Sequence, residues 1–442
     1  MPIALLKSKI LAQPNSDQLI TNPQQIKKQY RYWRIRIMYS LMIGYAAFYI
    51  VRLNFSMAMP SLLKDFNLTT GDLGLILSLF SVIYGVGKFL NGILADHANP
   101  QYFMAIGLAA SGIASILLGF SVGIVTISFF WLLNAWFQSM GWPPCARSMT
   151  KWYPPNKRGL MWGIWNSSHQ IGGIISLVIA GYLIQHFGWR AAFILPGVFV
   201  IMLAPVLINR LRDTPLSLGL PCLTQYNAEA YAGVSHIETS TDSVKTLFSE
   251  HIIHNKYLWY LCFANFFVYI IRIGILTWAP LFLLQHKDIN LVNAGWSTAA
   301  FEFSGIFGGL LAGYLSDTIF RGRRGPINLF FSIVLVLGLA CLYWLPEGNF
   351  IYAALILAVI GFMVYGPQML VGVAAADVST ANASATATGL TGTFGYLGST
   401  VCSVLIGLIV GFWGWDAGLL FFIVSGIIAS FLFLLTWHAR AL

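Results

Sequence analysis

Charged residues are scarce in this sequence: Asp, Glu, Lys and Arg make up 9% of its 442 residues, whereas 57% are hydrophobic. Water-soluble domains carry about a quarter charged residues. The composition therefore excludes a soluble globular protein, and the mean hydropathy of +0.73 places the chain in a lipid bilayer. Cysteine is rare too, with five widely separated residues. Their spacing argues against a disulfide framework or a zinc site, so we expect buried cysteines, no metal and no cofactor.

Long apolar runs are what the sequence has instead. Twelve segments are each long enough to cross about 30 Å of hydrocarbon as an α-helix, which takes roughly 20 residues. They lack the short alternating pattern of a membrane β-barrel, so we predict an all-α membrane protein with twelve transmembrane helices in two six-helix bundles. The predicted segments are residues 35–60, 72–95, 101–120, 122–148, 158–186 and 189–210, followed by 254–285, 291–316, 326–346, 350–378, 383–411 and 415–437.

The polar stretches set the predicted domains and their orientation. Residues 1–34 have no apolar core followed by a cleavage site, so they do not form a signal peptide. Most of the 25 Lys and Arg residues fall in loops on the same side as this segment, which is the asymmetry of the positive-inside rule. The net charge of +10 thus indicates topology and contact with anionic lipid, not nucleic-acid binding. The predicted domains are a cytoplasmic segment 1–34, a bundle 35–210, a cytoplasmic linker 211–253, a bundle 254–437 and a cytoplasmic tail 438–442.

The two halves of the chain repeat one design. Arg52 precedes Pro60 by the same eight residues that separate Arg272 from Pro280, and GILAD at 92–96 recurs as GYLSD at 313–317. Because each half has an even number of segments, the halves are parallel repeats, as in the major facilitator superfamily. Glycines at intervals of nine also recur, and they either let helices approach closely or serve ordinary packing. These glycines are Gly163, Gly172 and Gly181, then Gly389, Gly398 and Gly407.

Five ionisable residues lie deep within the predicted spans: Arg52, Lys88, His169, Arg272 and Glu302. A basic residue near the bilayer centre costs about 2.5–3.5 kcal/mol, so each needs a compensating environment. If the repeat brings the two arginines to mid-depth across a cavity, their guanidiniums will repel unless an anion lies between them. Planar guanidinium forks match phosphate or carboxylate oxygens. The alternative is that each arginine snorkels or caps backbone carbonyls.

The other three deep residues leave alternatives open. Lys88 and Glu302 form either a structural ion pair or part of the binding site. His169 is either a hydrogen-bonding core residue or a phosphate ligand that gains charge near neutral pH. With Arg52 and Arg272 included, three positive charges and one negative charge suit a phosphate dianion. Since Glu302 is the only deep acid, anion exchange is favoured over proton coupling.

Several motifs resemble those of the organophosphate:phosphate antiporters of the major facilitator superfamily. They are GYAAFYIVRLNFSMAMP, VGKFLNGILAD, FQSMGWPPCARSMTKWY, WNSSHQIGG, LRDTPLSLGLP, FVYIIRIGIL and YGPQMLVG. The resemblance implies that Arg52 and Arg272 bind the phosphoryl group, that His169 joins them, and that Lys88 and Glu302 share the cavity. It also implies a set of cavity aromatics: Tyr45, Tyr49, Tyr84, Trp142, Trp165, Tyr365 and Tyr396.

Two positions depart from the family pattern: Leu53 and Thr277 stand where the family commonly has Lys and Asp. A cation and an anion are lost together, and our hypothesis is that the two were partners. MLVGVAAAD and LNAWFQSMGWPPCAR resemble the hexose-phosphate branch more than the glycerol-3-phosphate branch.

The resemblance implies an antiporter that exchanges a hexose 6-phosphate, above all glucose 6-phosphate, for inorganic phosphate. We expect a monomer in a bacterial inner membrane. The alternatives are a glycerol-3-phosphate antiporter and a hexose-phosphate receptor partnered with a membrane sensor kinase. We do not expect an enzyme, because the sequence has no nucleophile–base set, metal cluster or phosphate-cradling loop.

Overall fold

A computed structural model describes residues 20–226, 254–320, 322–379 and 384–439, which fold into α-helices and one 3-10 turn. Residues 1–19, most of the predicted linker and the end of the predicted tail lie outside the described residues. The α-helices are α1 Pro23–Ile50, α2 Asn54–Asp65, α3 Thr70–His97, α4 Pro100–Gly119, α5 Ile124–Gln138, α6 Trp142–Trp152, α7 Pro155–Phe187, α8 Ala191–Arg210, α9 Leu223–Tyr226, α10 Lys256–His286, α11 Leu291–Thr318, α12 Arg324–Tyr343, α13 Phe350–Asp377 and α14 Ser384–Leu435; the 3-10 turn is Leu216–Leu218.

The helices confirm the predicted all-α membrane fold. Among the described residues, ten helical stretches are long and apolar enough to cross a membrane, with α1 and α2 counted as one stretch. One of the ten, in α14, contains Gly414 with φ 78° and ψ −179°, a conformation open to glycine alone, so it comprises two helices. Helices α5 and α6 are each shorter than a span, but together they cover the predicted fourth segment. Each of the twelve predicted segments therefore contains helix among its described residues.

The fourth segment is broken where two prolines enter the chain. Helix α5 ends at Gln138, and α6 begins at Trp142 with Pro143 and Pro144 in its first turn. Proline has no N–H to donate to the preceding turn, so it suits the start of a helix and disrupts the interior of one. The sequence predicted one continuous span over 122–148, and the break leaves Gln138 and Trp142 at two helix ends.

The first segment, predicted as one span over 35–60, is also broken, at residues 51–53 between α1 and α2. The backbone N–H of Arg52 bonds to the carbonyl of Tyr49, three residues back instead of four. Three side chains from other helices donate hydrogen bonds to nearby backbone carbonyls at 2.9–3.0 Å: Gln138 to Phe48, Ser176 to Ile50 and Asn134 to Val51. These donors replace helical hydrogen bonds, because a buried carbonyl must be satisfied inside the protein. The break places Arg52 at a turn.

The described residues form two compact units, each considered by itself. The first unit holds residues 20–52, 82–176 and 190–226; the second holds residues 53–81, 177–189 and the described residues from 254 onward. Both units therefore contain parts of α3 and α7. The division into bundles 35–210 and 254–437 stays a prediction about which parts move together.

The sequence repeat recurs as matching contacts inside the two units. In the first unit, a Cβ added at Gly172 would lie 2.4 Å from the carbonyl oxygen of Ala46; in the second, a Cβ at Gly398 would lie 2.2 Å from that of Phe266. At both sites two helix backbones touch at a position only glycine fills. By contrast, nothing lies within 4 Å of a Cβ at Gly163. Close approach is thus the role of some repeated glycines and not of others.

The second unit contains its own set of close helix contacts. A Cβ at Gly74 would lie 2.5 Å from the carbonyl oxygen of Ser403, and one at Gly295 would lie 2.9 Å from that of Leu177. The contacts are related by the repeat, and they join segments 53–81 and 177–189 to helices of the second half.

The predicted burial of the cysteines holds for three residues, but Cys222 is half-buried and Cys341 is exposed. Cysteine is apolar enough to face lipid, so the prediction was too general.

Candidate functional site

Arg52 is the centre of a polar and aromatic cluster in the first unit. Its side chain is half-buried, and its Nε donates a hydrogen bond to the Oε1 atom of Gln138 at 3.0 Å. The guanidinium carbon lies 4.9 Å from the ring centroid of Tyr49 and 4.5 Å from that of Tyr84. Aromatic faces attract a cation without neutralising it, so the cluster holds the guanidinium and keeps its charge available.

Gln138 connects Arg52 to the break that follows α1. The side chain is 1% exposed, and its Nε2 donates to the carbonyl of Phe48 and to the Oγ of Ser111, both at 2.9 Å. Ser111 in turn donates to Asn134. This network, formed by Ser111, Asn134 and Gln138, satisfies the buried amides and fixes the direction of the guanidinium.

Among the described residues of the first unit, no carboxylate pairs with Arg52. Within its described residues, Asp213 is the one acidic residue whose side chain the structure describes, and it forms an ion pair with Arg147 at 2.9 Å. The groups around Arg52 are an amide oxygen and phenol rings, all neutral. A guanidinium that is partly withdrawn from water, with no carboxylate partner among the described residues of its unit, is a favourable partner for an added anion.

His169 on α7 lies beside the same tyrosines. Its ring centroid is 4.5 Å from that of Tyr45, 5.4 Å from that of Tyr49 and 5.0 Å from that of Trp165. Its Nδ1 lies 2.8 Å from the carbonyl oxygen of Asn166. Because that carbonyl can only accept, this contact is a hydrogen bond when Nδ1 carries the proton.

Lys88 extends the cluster along an aromatic row. Its Nζ lies 4.6 Å from a ring centroid of Trp142. Trp142 stacks on Trp162 at 5.8 Å with an interplanar angle of 25°, and Trp162 meets Trp165 edge to face at 5.0 Å. The structure thus brings together eight of the twelve predicted site residues in the first unit: Arg52, Lys88, His169, Tyr45, Tyr49, Tyr84, Trp142 and Trp165.

The remaining four predicted residues lie in the second unit. Arg272 is 7% exposed, and its Nη2 donates to the hydroxyl of Tyr365 at 3.2 Å; that hydroxyl donates to Oε2 of the fully buried Glu302 at 2.8 Å. The guanidinium carbon also lies 4.8 Å from the Tyr365 ring centroid. Tyr365 therefore bridges a cation and an anion. Tyr396 is joined to this group through Tyr269, at 6.0 Å between ring centroids.

Leu53 and Thr277, the two departures from the family pattern, both lie in the second unit. Leu53 is buried just before α2, and Thr277 is half-buried in α10. Ser56, one turn after Leu53, donates from its Oγ to the carbonyl of Thr277 at 2.5 Å. Helix α2, which begins directly after Leu53, thus contacts α10, which carries Thr277, and the partnership hypothesis requires such a contact.

Sequence reasoning missed Gln138, Trp162 and Tyr269. Gln138 lies in the apolar run FFWLLNAWFQ, and a polar amide at that place is a signal by which it could be found. A buried amide costs free energy unless it is hydrogen-bonded, so its presence in an apolar helix indicates a partner. Trp162 has no such signal, because a tryptophan in a membrane helix is ordinary.

Within the described ranges, no three His, Cys, Asp or Glu side chains are grouped to hold a metal ion.

Comparison with known proteins identifies the family. The sequence profile of the Major Facilitator Superfamily matches residues 41–401. A "Probable hexose phosphate transport protein" of Chlamydia trachomatis is 41% identical, over 98% of this chain and 97% of the relative. The "Membrane sensor protein UhpC" of Escherichia coli is 37% identical, over 95% of each chain. The "Glycerol-3-phosphate transporter" of Bacillus subtilis is 36% identical, over 92% of this chain and 93% of the relative.

The fold has a counterpart among solved structures. A bacterial homolog of the human lysosomal transporter Spinster superposes with a TM-score of 0.75, over 92% of this chain and 98% of the homolog, at 15% identity. At that identity the likeness concerns the fold alone. It agrees with the all-helical architecture predicted from the apolar segments.

Proposed function

Because this chain belongs to the Major Facilitator Superfamily and, within it, to the organophosphate:phosphate antiporter family, we propose that it exchanges a sugar phosphate for inorganic phosphate. Family membership makes the chain a transporter and not an enzyme. The substrate that we propose is a hexose 6-phosphate, with glucose 6-phosphate first. The names and identities of the Chlamydia relatives, at 40–41%, support a hexose phosphate.

The observation that carries the proposal is the environment of Arg52. Its guanidinium is held by Gln138 and two tyrosine rings, and no described carboxylate of its unit pairs with it. A guanidinium that is held in fixed geometry by neutral groups favours a phosphoryl group, whose oxygens accept paired hydrogen bonds. We propose that Arg272, whose Nη2 contacts Tyr365, supplies the equivalent group from the second half of the chain.

The other site residues then take distinct roles. We propose that the imidazole of His169 and the ammonium of Lys88 add contacts to the phosphoryl oxygens, and that the aromatic row of Trp142, Trp162 and Trp165 packs against the sugar. A pocket with a few polar anchors and aromatic walls is typical of small-molecule sites. The summed charge of Arg52, Lys88, Arg272 and Glu302 is +2, which a phosphate dianion balances.

Exchange follows from the cost of an unbalanced charge. With phosphate bound, the charges of the basic residues are neutralised, and the protein can change between the state that opens the site to one side of the membrane and the state that opens it to the other. Without phosphate, the buried charges oppose this change. A sugar phosphate and inorganic phosphate therefore drive the same step in opposite directions, because each shifts the population toward the state that holds it. No proton carrier is required.

The direct test uses proteoliposomes loaded with labelled phosphate. External glucose 6-phosphate is expected to release the label, whereas glucose, which has no phosphoryl group, is not. Arg52→Lys and Arg272→Lys should each nearly abolish exchange, because an ammonium cannot reproduce the fork of a guanidinium. Arg31→Lys, at an exposed position of α1, is the matched control. Wild-type exchange by both site variants would refute the assigned roles.

A receptor function is the second candidate, and it rests on the 37% identity to the membrane sensor protein over 95% of the chain. A dedicated receptor would bind glucose 6-phosphate in the same proteoliposomes and release little label. A glycerol-3-phosphate antiporter would instead release label fastest with glycerol 3-phosphate. Binding and exchange measured with glucose 6-phosphate, glycerol 3-phosphate and inorganic phosphate distinguish these outcomes.

A further inference from the structure

Three arginines meet at one end of the first unit, away from the cluster around Arg52. Arg36 on α1 donates from Nη2 to the carbonyl and side-chain oxygens of Asn209, both at 2.9 Å, and from Nη1 to the hydroxyl of Tyr32. Arg210, the last residue of α8, donates to the hydroxyl of Tyr39 at 3.3 Å. Arg212 follows two residues later in the chain. We call Arg36, Arg210 and Arg212 the arginine triad.

Two of these guanidiniums share one indole ring. The guanidinium carbon of Arg36 lies 4.8 Å from a ring centroid of Trp33, and that of Arg212 lies 5.1 Å from one. Arg212 donates from Nη1 to the carbonyls of Leu211 at 2.6 Å and Asn209 at 3.0 Å. Like charges held this close repel each other, so the arrangement calls for an opposite charge nearby.

The described residues of the first unit do not supply that charge. Every acceptor of the arginine triad is a carbonyl, an amide oxygen or a phenol, all of them neutral. Asp213, although next in sequence, is fully buried in its pair with Arg147. The Nε of Arg36 is buried without a hydrogen-bond partner. Burial lowers the pKa of Arg212, and the nearby charge of Arg36 lowers it further.

The face of α1 beside the triad is apolar and exposed. Tyr32 is 50% exposed and Ile35 is 59% exposed, and Ile43 is exposed two turns further along the helix. Tyrosine and tryptophan beside arginine, at the polar end of a membrane-spanning helix, are typical of the bilayer interface. A ligand for this place therefore has an anionic head and an apolar body.

We propose that the arginine triad binds the phosphodiester headgroup of an anionic phospholipid, whose acyl chains lie along the exposed face of α1. A phosphodiester offers two anionic oxygens to the adjacent forks of Arg36 and Arg212. Basic pockets between membrane helices are suited to anionic headgroups. The bound lipid relieves the repulsion between the two guanidiniums and tethers the end of α8 to α1.

The test compares lipids on the purified full-length protein in neutral detergent. Phosphatidylglycerol is expected to raise the thermal unfolding midpoint, and phosphatidylcholine is not. Arg36→Gln with Arg212→Gln should weaken the apparent affinity for phosphatidylglycerol about tenfold or more, because both forks are lost. Lys27→Gln with Lys28→Gln removes the same charge from exposed positions of α1 and should change the affinity far less.

The remaining outcomes of these experiments either support the proposed lipid site or overturn it. Equal weakening in the two double variants would show diffuse attraction and overturn the proposal. The same stabilisation by inorganic phosphate or by soluble glycerophosphoglycerol, without acyl chains, would overturn the lipid assignment. If the glutamine variant fails to fold, Arg36→Lys with Arg212→Lys keeps the charge and loses the forks. Mass spectrometry of the lipid retained by that variant should show less phosphatidylglycerol than wild type; equal retention would contradict the proposal.

Discussion

Gln138 allows the proposed role of Arg52 to be tested without changing the arginine. Its Oε1 accepts from Arg52 Nε at 3.0 Å, and its Nε2 donates two further bonds at 2.9 Å. Gln138→Glu places a carboxylate of the same size against the guanidinium. Gln138→Met keeps the length of the side chain and adds no charge. Both variants lose the two donated bonds, but Gln138→Glu alone keeps an acceptor for Arg52 Nε and makes it negative, so their difference reports the pairing of Arg52 with a carboxylate.

The magnitudes follow from the contacts. A neutral hydrogen bond contributes about 1 kcal/mol net, so both variants should lose about 2 kcal/mol of unfolding free energy from the two donated bonds. Bonds to a charged group contribute about 1.5–3 kcal/mol. If the new carboxylate takes the guanidinium from the phosphoryl group, affinity should fall by that amount, which is roughly 10- to 100-fold. Gln138→Met leaves the charge free and should lose less affinity.

The assay is calorimetric binding of glucose 6-phosphate to the purified protein, with thermal unfolding measured in parallel. The expected order of affinity is wild type, then Gln138→Met, then Gln138→Glu, and a cooperative unfolding transition in each variant shows that both fold. If Gln138→Glu binds as tightly as Gln138→Met, Arg52 does not bind the phosphoryl group and the reasoning fails.

Three further predictions concern the second unit and the helix contacts. Leu53→Lys or Thr277→Asp alone should impair exchange or folding more than the two together, because one unpaired buried charge costs about 3–5 kcal/mol; equal defects in a double-mutant cycle would argue against coupling. Gly172→Ala should destabilise the protein by about 1–3 kcal/mol, because its Cβ would overlap the backbone of a neighbouring helix, whereas Gly163→Ala has open space and should be tolerated in the same thermal assay. Tyr365→Phe removes the hydroxyl that donates to a buried carboxylate, so the unfolding free energy should fall by about 1–3 kcal/mol; an unchanged unfolding midpoint would contradict that role.

Much of the architecture was predictable because the bilayer limits the choices of the chain. A helix that crosses hydrocarbon must be long, apolar and internally hydrogen-bonded. Each such helix can therefore be predicted from its own sequence, without knowing which helices pack against it. The exceptions are local: residues 51–53 and 139–141 interrupt two predicted spans. The prolines after Gly141 indicate the second break. The first depends on Gln138, Asn134 and Ser176 reaching carbonyls of α1, and nothing within the segment itself indicates it.

The candidate site was predictable to the extent that its residues are costly in lipid. Arg52, Arg272 and Glu302 stood out because a charge in an apolar helix needs a reason. Gln138 and Trp162 did not stand out, although Gln138 holds Arg52 across 86 residues of sequence. Tyr365 was expected only from the family resemblance, and its place between Arg272 and Glu302 came from the structure.

The sequence by itself determined that this chain lies in a membrane, that its halves repeat and that two arginines occupy matching places, because hydropathy, spacing and charge are local properties. Only the tertiary structure decided which neutral groups surround each arginine, which glycines touch a neighbouring backbone and where three further arginines gather. These are contacts between helices far apart in the chain. They depend on how side chains pack, and no stretch of sequence contains that information alone.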